Sequence, residues 1–348
     1  MLGLTTGKKK LIHVWVINKM KKYDCLFIGN AIVDVVSNVS FEFLKKQKID
    51  VGSWRPTSVD VISQLQNNME NTLIASGGSA ANSAVGFSLL GGSCSYIGRV
   101  KDDKFGQLYI KDLEEANVDF VSSAVQSGDE TGRCLVYVTP DAERSMRTYL
   151  GAASNLSPQD INYKAIGDSE FVYVEGYLWD EPIAKESCKK AYEVSKEAGT
   201  KSVLSLSDSF CVEKWRSEIR ELTKISDIVF GNEEEVMSLY ETSILSDAIS
   251  AANNEMNLCV ITRGSQGSII VSSEGVEEVA AYPCEKVLDT TGAGDLYAAG
   301  FLYGLKNNLR LYECAQLGSF SSSQVIGRLG PRPSDNLALL AKNEGFSV

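Results

Sequence analysis

Apolar residues fall into two alternating patterns from Tyr23 onward. Short β-branched and aromatic runs predict buried strands: YDCLFIGNAIVDVV, which is broken by Gly29-Asn30, and SCSYIGRV, FVYVEGY, KSVLSLS and DIVFGN. Between them, apolar residues at helical spacing predict helices, and the clearest has Pro182 in its first turn and Gly199 behind it. This alternation predicts an α/β fold with a doubly wound, mostly parallel sheet flanked by helices, and a ligand crevice at the carboxyl ends of the strands.

Two regions interrupt the alternation. The stretch TGRCLVYVTPDAERSMRTYL predicts two strands joined by the turn PDAE, and the residues after Val35 show no strand–helix alternation. We therefore expect one domain over residues 20–345, with a small β lid inserted at roughly 35–60 and 120–150. Residues 1–19 lack a long apolar stretch and a good cleavage site, so we expect a disordered extension rather than a signal peptide. The alternative is that LIHVWVI forms an extra edge strand.

Composition excludes several classes of function. The 348 residues carry a net charge of −11, which disfavours nucleic acid and anionic membrane surfaces as partners. No window approaches the roughly 20 apolar residues of a membrane span. Eight scattered cysteines and the single histidine, His13, offer neither a clustered zinc site nor a Ser-His-Asp or Cys-His arrangement. We expect reduced thiols and a cytoplasmic protein.

The run DTTGAGD, from Asp289 to Asp295, is the strongest candidate for chemistry. A glycine-rich turn that enters a helix exposes free N–H groups at the positive end of the helix dipole, where oxyanions bind. A phosphoryl group in transfer is such an anion, and Asp295 could accept a proton from a substrate hydroxyl. The alternative is a tight turn in which Asp295 stabilises its own helix.

Two stretches resemble the signatures of one enzyme family. DTTGAGDLYAAGF resembles the C-terminal signature of the PfkB (ribokinase-like) family of sugar and nucleoside kinases, and GGSAANSAVGFSLLGG, from Gly77 to Gly92, resembles its N-terminal signature. The resemblance covers about Tyr23 to Pro333. It implies a ribokinase-like doubly wound domain with a β lid, which uses ATP and Mg²⁺ to phosphorylate a primary hydroxyl. Lys101 stands where the first signature usually ends in glycine, and stretches such as VIGRLGPRP look closer to the adenosine kinase branch.

The resemblance also implies roles for individual residues. Asp295 becomes the catalytic base, and the anion hole comes from the amides of Gly292, Ala293 and Gly294. The implied substrate-binding residues are Asn30, Asp34, Gly77, Gly78, Asn82 and, from the lid, Arg144. The implied nucleotide-binding residues are Asn232, Glu235, Thr262, Arg263, Gly264 and Gly267.

Two cation sites follow from the same resemblance. Asn232 and Glu235 would help to organise Mg²⁺, often through water, since this ion keeps several waters. Asp289 and Thr291 align with a loop that binds a monovalent cation in some relatives, which makes K⁺ a further candidate. For each assignment a plainer interpretation stays open: helix capping for Asn232 and Glu235, a strand-ending turn for Thr262 to Gly267, and local turns or helix packing for the substrate-binding set.

The acceptor is less well defined than the reaction. We expect adenosine or a related ribonucleoside, with ribose or fructose as the alternative; the aromatic candidates for contact with a base are Phe41, Trp54, Tyr177 and Trp179, each of which could instead pack in the core or lid. A non-catalytic sugar or nucleoside sensor is a further alternative. A dinucleotide oxidoreductase and a P-loop kinase are disfavoured, because neither GxGxxG after the first strand nor GxxxxGK[ST] occurs. Members of the family occur as monomers and as homodimers joined through their lids, and the sequence favours neither.

Overall fold

A nine-stranded sheet forms the centre of the molecule. The computed structural model describes residues 21–141, 143–328, 330–333 and 336–348, so the predicted extension at residues 1–19 lies outside the described residues. The order across the sheet is β14-β13-β12-β11-β10-β9-β1-β5-β6. Its strands are β1 (Tyr23–Ile28), β5 (Cys94–Ile97), β6 (Val118–Phe120), β9 (Ser169–Glu175), β10 (Lys201–Ser205), β11 (Ile228–Asn232), β12 (Leu258–Thr262), β13 (Ser268–Ser272) and β14 (Gly275–Val279). All pair in parallel except β13 and β14, which confirms the predicted mostly parallel sheet.

A second sheet of five strands, here called the lid sheet, is ordered β3-β8-β7-β2-β4. Its strands are β2 (Ile32–Asn38), β3 (Trp54–Pro56), β4 (Leu73–Gly77), β7 (Thr131–Val138) and β8 (Arg144–Gly151). Helices α1 (Phe41–Gln47) and α2 (Val59–Asn67) cover one face, where Leu44 and Ile62 pack with Val33 and Leu135. The other face remains open to the site.

Ten further helices cover both faces of the main sheet. One core lies against α3 (Ser79–Leu89), α4 (Lys104–Glu115), α10 (Ala293–Lys306), α11 (Leu311–Ile326) and α12 (Leu337–Asn343). The other lies against α5 (Tyr163–Gly167), α6 (Pro182–Ala198), α7 (Ser209–Ile225), α8 (Glu233–Leu239) and α9 (Leu245–Glu255). Phe27 belongs to the first core, and its neighbours Leu26 and Ile28 belong to the second, as a strand buried on both faces requires. No helix in the described part of the chain has the length and hydropathy to cross a bilayer.

The lid differs in detail from the sequence-based expectation. The break predicted at Gly29-Asn30 in YDCLFIGNAIVDVV separates two strands in different sheets: the chain leaves the main sheet after Ile28 and enters the lid sheet at Ile32. The lid sheet also includes β4, which lies well beyond the predicted segment 35–60. The predicted segment itself contains helix α1, which is capped by Ser40: the Ser40 hydroxyl accepts the Phe43 N–H at 3.1 Å. Period-2 alternation in the short β3 and β4 was too brief to detect.

Candidate active site

Helix α10 begins in a turn that only glycine can form. Gly292 precedes the helix with φ +78°, and a Cβ there would lie 2.4 Å from the carbonyl oxygen of Pro331. A Cβ on Gly294, by contrast, would meet no described atom within 4 Å, so this residue faces open space. The turn is therefore closed on one side by the chain and open on the other.

The open side presents backbone N–H groups. The Ala293 N–H is engaged with the Thr290 carbonyl at 3.1 Å, whereas the N–H groups of Gly294 and Asp295 meet no acceptor among the described residues. Free amides at the first turn of a 14-residue helix are a binding site for an oxyanion. The anion hole predicted from the amides of Gly292, Ala293 and Gly294 stays a prediction, and the Ala293 amide already has a backbone partner in this turn.

Asp295 lies in this first turn and is held from a second helix. The Ser79 hydroxyl donates to its Oδ1 at 2.6 Å and the Asn82 amide donates to its Oδ2 at 3.0 Å. Burial raises the pKa of Asp295 to about 6, against the opposing effect of these two hydrogen bonds and of the Arg332 charge. The carboxylate is thereby fixed in direction and poised to accept a proton near neutral pH.

The start of α3 brings the substrate-binding candidates together. A Cβ on Gly77 would lie 2.4 Å from the Asp34 carboxyl group, and one on Gly78, which has φ +94°, would lie 2.4 Å from the Asn30 carbonyl oxygen. Both glycines are needed for this close approach. Asp34 has a pKa raised to about 6, chiefly by burial, with Arg332 and Arg144 opposing and Asp295 adding to the rise. Asn30, Asp34, Gly77, Gly78, Asn82 and Asp295 therefore share one site.

Glu175 is a site residue that the sequence analysis missed. It ends β9 and is 1% exposed; its two oxygens accept the N–H groups of Asn30 at 2.8 Å and Ala80 at 2.9 Å. It therefore holds the β1–β2 crossing against the start of α3. Burial raises its pKa to about 7. The signal was present in FVYVEGY, where a carboxylate stands at the carboxyl end of a buried strand.

Arg144 extends from the lid to the loop before the α10 turn. Its guanidinium donates to Asp289 and to the Thr291 hydroxyl. Asp289 is buried and also accepts the N–H groups of Thr291 at 2.9 Å and Gly330 at 2.8 Å. The residues predicted to hold a monovalent cation thus face the charged group of Arg144, which was predicted to contact substrate. Both assignments stay predictions.

Asn232 and Glu235 pair with each other at the start of α8. The Glu235 carboxylate accepts the backbone N–H of Asn232 at 3.0 Å and its side-chain amide at 2.8 Å, while Asn232 Oδ1 accepts the Glu235 N–H at 2.8 Å. This reciprocal capping box is the plainer interpretation of GNEEE. Burial raises the pKa of Glu235 to about 7. In the described part of the chain no group of three or more His, Cys, Asp or Glu side chains could hold a metal ion, and the Mg²⁺ role of Asn232 and Glu235 stays a prediction.

The candidate nucleotide loop lies beside Asn232. Asn232 and Thr262 are register partners at the ends of β11 and β12. Beyond Thr262, the Arg263 N–H bonds to the Gly267 carbonyl at 2.8 Å, and Gly264 and Gly267 adopt φ +54° and +87°. These residues thus form a turn at the end of β12, as the plainer interpretation has it, and their role in nucleotide binding stays a prediction.

Comparison with known proteins identifies the family. The profile of the family described as pfkB family carbohydrate kinase matches residues 57–337. The adenosine kinase of Sinorhizobium meliloti has a similar structure, with a TM-score of 0.87 and 40% identity over 93% of this chain and 100% of that one. The chain belongs to the pfkB family of carbohydrate kinases.

Curated relatives include both a nucleoside kinase and a sugar kinase. The adenosine kinase of Saccharomyces cerevisiae is 25% identical over 89% of this chain and 97% of its own length. The 5-dehydro-2-deoxygluconokinase of Bacillus licheniformis is 29% identical over 83% of this chain and 94% of its own. The protein is therefore a phosphotransferase, a sugar or nucleoside kinase whose family uses ATP.

Proposed function

We propose that this protein is an ATP-dependent nucleoside kinase that phosphorylates the primary hydroxyl of adenosine or a related ribonucleoside. The observation that carries the proposal is the position of Asp295. Its carboxylate is fixed by Ser79 and Asn82 and lies in the same helical turn as the free N–H groups. A base and an anion site within one turn are what phosphoryl transfer to an alcohol requires.

Asp295 acts as general base in this proposal. One Oδ atom takes the proton from the attacking hydroxyl as the acceptor oxygen bonds to the γ-phosphorus and the bond from that phosphorus to the departing ADP breaks, and the amides of Gly294 and Asp295 neutralise the oxyanion charge. Asp34 and Asn30 hold the ribose hydroxyls. The close approach of Gly77 and Gly78 to these two residues supports that assignment.

The open face of the lid sheet favours a nucleoside over a free sugar. Cross-strand partners place Cys134 beside Asp34, Val136 beside Val36, and Met146 beside Val136 and Trp54. Val36 and Met146 pack with Cys134 and Val136 in a separate apolar cluster, and Trp54 remains 52% exposed. Cys134 and Val136 are already buried, so a purine or pyrimidine ring would cover the half-buried Val36 and Met146 and the exposed Trp54, which a hexose would leave in water.

Of the four aromatic candidates, Trp54 is the one that lies on this open face. Trp179 is 1% exposed and belongs to a core cluster, and Phe41 begins α1 on the covered face of the lid sheet. Tyr177 follows β9 and is 38% exposed. The similarity to proteins named adenosine kinase supports the same choice of substrate.

Residues at the ends of β11 and β12 would hold the nucleotide. Thr262, Arg263, Gly264 and Gly267 form the loop, with Asn232 and Glu235 beside it for a hydrated Mg²⁺. Bound Mg²⁺–ATP supplies the phosphoryl group and charge neutralisation. The chain itself contributes the orientation of the acceptor and the position of the base.

A coupled assay of ADP release tests the proposal. Wild-type protein with ATP and Mg²⁺ is compared across adenosine, inosine, ribose and fructose, and Asp295→Asn should lower kcat by about 10²–10⁴-fold. Trp54→Ala should raise KM for adenosine and leave any ribose activity unchanged. Phe41→Ala, which removes an exposed aromatic from the opposite side of the lid, is the matched control. Preference for ribose or fructose over both nucleosides would refute the nucleoside assignment, and full activity of Asp295→Asn would refute the role of the base.

A further inference from the structure

The segment that follows α11 crosses the turn in which α10 begins. The Gly330 N–H donates to Asp289 at 2.8 Å, and Pro331 lies against Gly292, with its carbonyl oxygen 2.4 Å from where a Cβ would be. The side chain of the next residue, Arg332, contacts α3 and α4. Three consecutive residues of one segment therefore contact the site.

The Arg332 guanidinium has two protein partners and one nitrogen without any. Its Nη1 donates to Asp112 on α4 at 2.9 Å, and its Nε donates to Asn82 Oδ1 on α3 at 3.3 Å. Its Nη2 is buried and has no hydrogen-bond acceptor in the described part of the chain. Asp112 is itself fixed, because it accepts the Ser76 N–H at 2.8 Å and the Ser76 hydroxyl.

The contact with Asn82 determines which way the Asn82 amide faces. A side-chain amide has one oxygen that accepts and one NH₂ that donates. Because Arg332 can only donate, it holds the oxygen of Asn82, and the NH₂ is left to donate to Asp295 Oδ2 at 3.0 Å. Rotation of the amide would place a donor against Arg332 and an oxygen against the Asp295 carboxylate.

Arg332 is also the positive charge that the two acceptor-facing carboxylates share. Its charge opposes the rise that burial causes in the pKa of both Asp34 and Asp295, whereas the charge of Arg144 opposes the rise at Asp34. The other ionisable groups around Asp295 are Glu175 at the end of β9 and the phenols of Tyr173 and Tyr177. Those three groups supply no positive charge.

We propose that Arg332 is a positioning residue of the phosphoryl-transfer site: anchored by Asp112, it orients the Asn82 amide towards Asp295 and offsets the charge of the two carboxylates. The proposal rests on the proposed function of Asp295 as base. The competing explanation is a purely structural ion pair that ties the C-terminal segment to α4. The two differ in what happens to the protonation of Asp295.

The experiment compares Arg332→Met, which keeps the stem and removes the charge and donors, with Arg332→Lys, which keeps the charge. Arg99→Gln is the matched control, because Arg99 and Asp160 form another ion pair with little exposure, at 2.6 Å, outside the machinery described above. The first readout is kcat/KM for adenosine from pH 5 to 9. The second is the ¹³C NMR titration of the Asp295 carboxyl group in aspartate-labelled protein, assigned with Asp295→Asn.

In Arg332→Met, the acidic limb of the pH profile of kcat/KM should shift to higher pH by about one unit, and the titration midpoint of Asp295 should rise by the same amount. The rate should fall about fivefold at pH 6, approach a tenfold loss near pH 5 and recover most of the loss above pH 8. Arg332→Lys should keep the limb near its wild-type position, and Arg99→Gln should not move it.

If Arg332→Met lowers kcat/KM by the same factor at every pH and leaves the titration midpoint of Asp295 unchanged, the proposal is overturned. Arg332 and Asp112 would then form an ion pair with a structural role alone. If the wild-type protein phosphorylates no tested acceptor, the proposed function fails, and the NMR midpoint still decides whether Arg332 acts on Asp295. Should Arg332→Met fail to fold, Asp112→Asn takes its place: a raised midpoint supports the anchored arrangement, and an unchanged midpoint contradicts it.

Discussion

Three carboxyl groups that would repel one another meet where α3 and α10 begin. Asp34, Glu175 and Asp295 all have pKa values raised chiefly by burial. Two of them are stabilised by specific donors: Glu175 by two backbone amides, and Asp295 by a hydroxyl and a side-chain amide. Removing one donor should therefore change protonation as well as geometry.

Ser79→Ala tests this at a single atom. The hydroxyl bond lowers the pKa of Asp295, so its loss should raise that pKa, and a larger fraction of the base would be protonated at a given pH. We expect the acidic limb of the rate to move up by about one pH unit, as loss of a hydrogen bond to a charged group predicts. Ser88→Ala, on the same helix with its hydroxyl on the Ala116 carbonyl at 2.7 Å, is the control. An unshifted limb in Ser79→Ala would show that the hydroxyl does not tune the base.

Gly78→Ala tests the close approach of α3 to Asn30. The added Cβ would be strained at φ +94° and would lie 2.4 Å from a backbone oxygen. We expect a loss of about 1–3 kcal/mol in the free energy of unfolding and a raised KM for the acceptor. Gly199→Ala has a similar backbone strain at φ +65° but open space around the Cβ, so it should lower stability without a change in KM. Equal KM values in the two variants would argue against a tight approach at Gly78.

At the scale of elements, the sequence predicted the strands and helices that have a repeating hydrophobic pattern and missed the elements that have none. Long buried strands and amphipathic helices have a period that can be read, and the helix start at DTTGAGD carries its own glycine signal. The lid strands β3 and β4 have three and five residues, too few for a period. Glu175 was missed although it stands at the end of a readable strand, whereas Arg332 was missed because it acts through partners far along the chain. Asp112 and Arg332 are 220 residues apart, and no local pattern joins them.

One contact between elements links the lid sheet to the loop before α10. Arg144 on β8 carries the positive charge that meets the buried Asp289 carboxylate. We expect Arg144→Gln to lower the rate and to make it respond to KCl, because K⁺ could then replace the lost charge, while the wild-type rate stays insensitive to KCl. Ionic strength is held constant with tetramethylammonium chloride.

The control for Arg144→Gln is Arg55→Gln. Arg55 is also in the lid sheet, and its ion pair with Asp50 is largely exposed, at 3.0 Å, so its removal should change little. A wild-type rate that already depends on K⁺ would mean that Arg144 does not substitute for the cation.

At the scale of the whole molecule, buried carboxyl groups set the pH dependence of stability. Glu175 has a folded-state pKa of about 7 against an ordinary value of 4.5, so the folded protein holds this proton more tightly than the unfolded chain. Its stabilising contribution is complete below about pH 4.5 and is lost as the pH rises through about 7. The size of that loss is up to about 3 kcal/mol.

Glu175→Gln should therefore flatten the decline in the free energy of unfolding between pH 5 and 8, measured by urea denaturation, whatever its effect on stability at one pH. Glu115→Gln removes an exposed carboxylate from a surface pair and should leave the slope unchanged. A slope in Glu175→Gln equal to that of the wild type would show that this carboxyl group does not titrate in that range.

The bond between Ser79 and Asp295 spans 216 residues of chain, and α3 and α10 pack closely enough that a Cβ on Gly86 would lie 2.4 Å from Leu296. A ribosome thus completes the acceptor-binding half long before the base and its helix emerge. Until then the face of α3 that carries Gly86 lacks the helix against which it packs in the folded protein. A premature stop codon shortly before Asp295 would release a product that retains much of the main sheet but lacks Asp295 and helix α10, and therefore has no kinase activity.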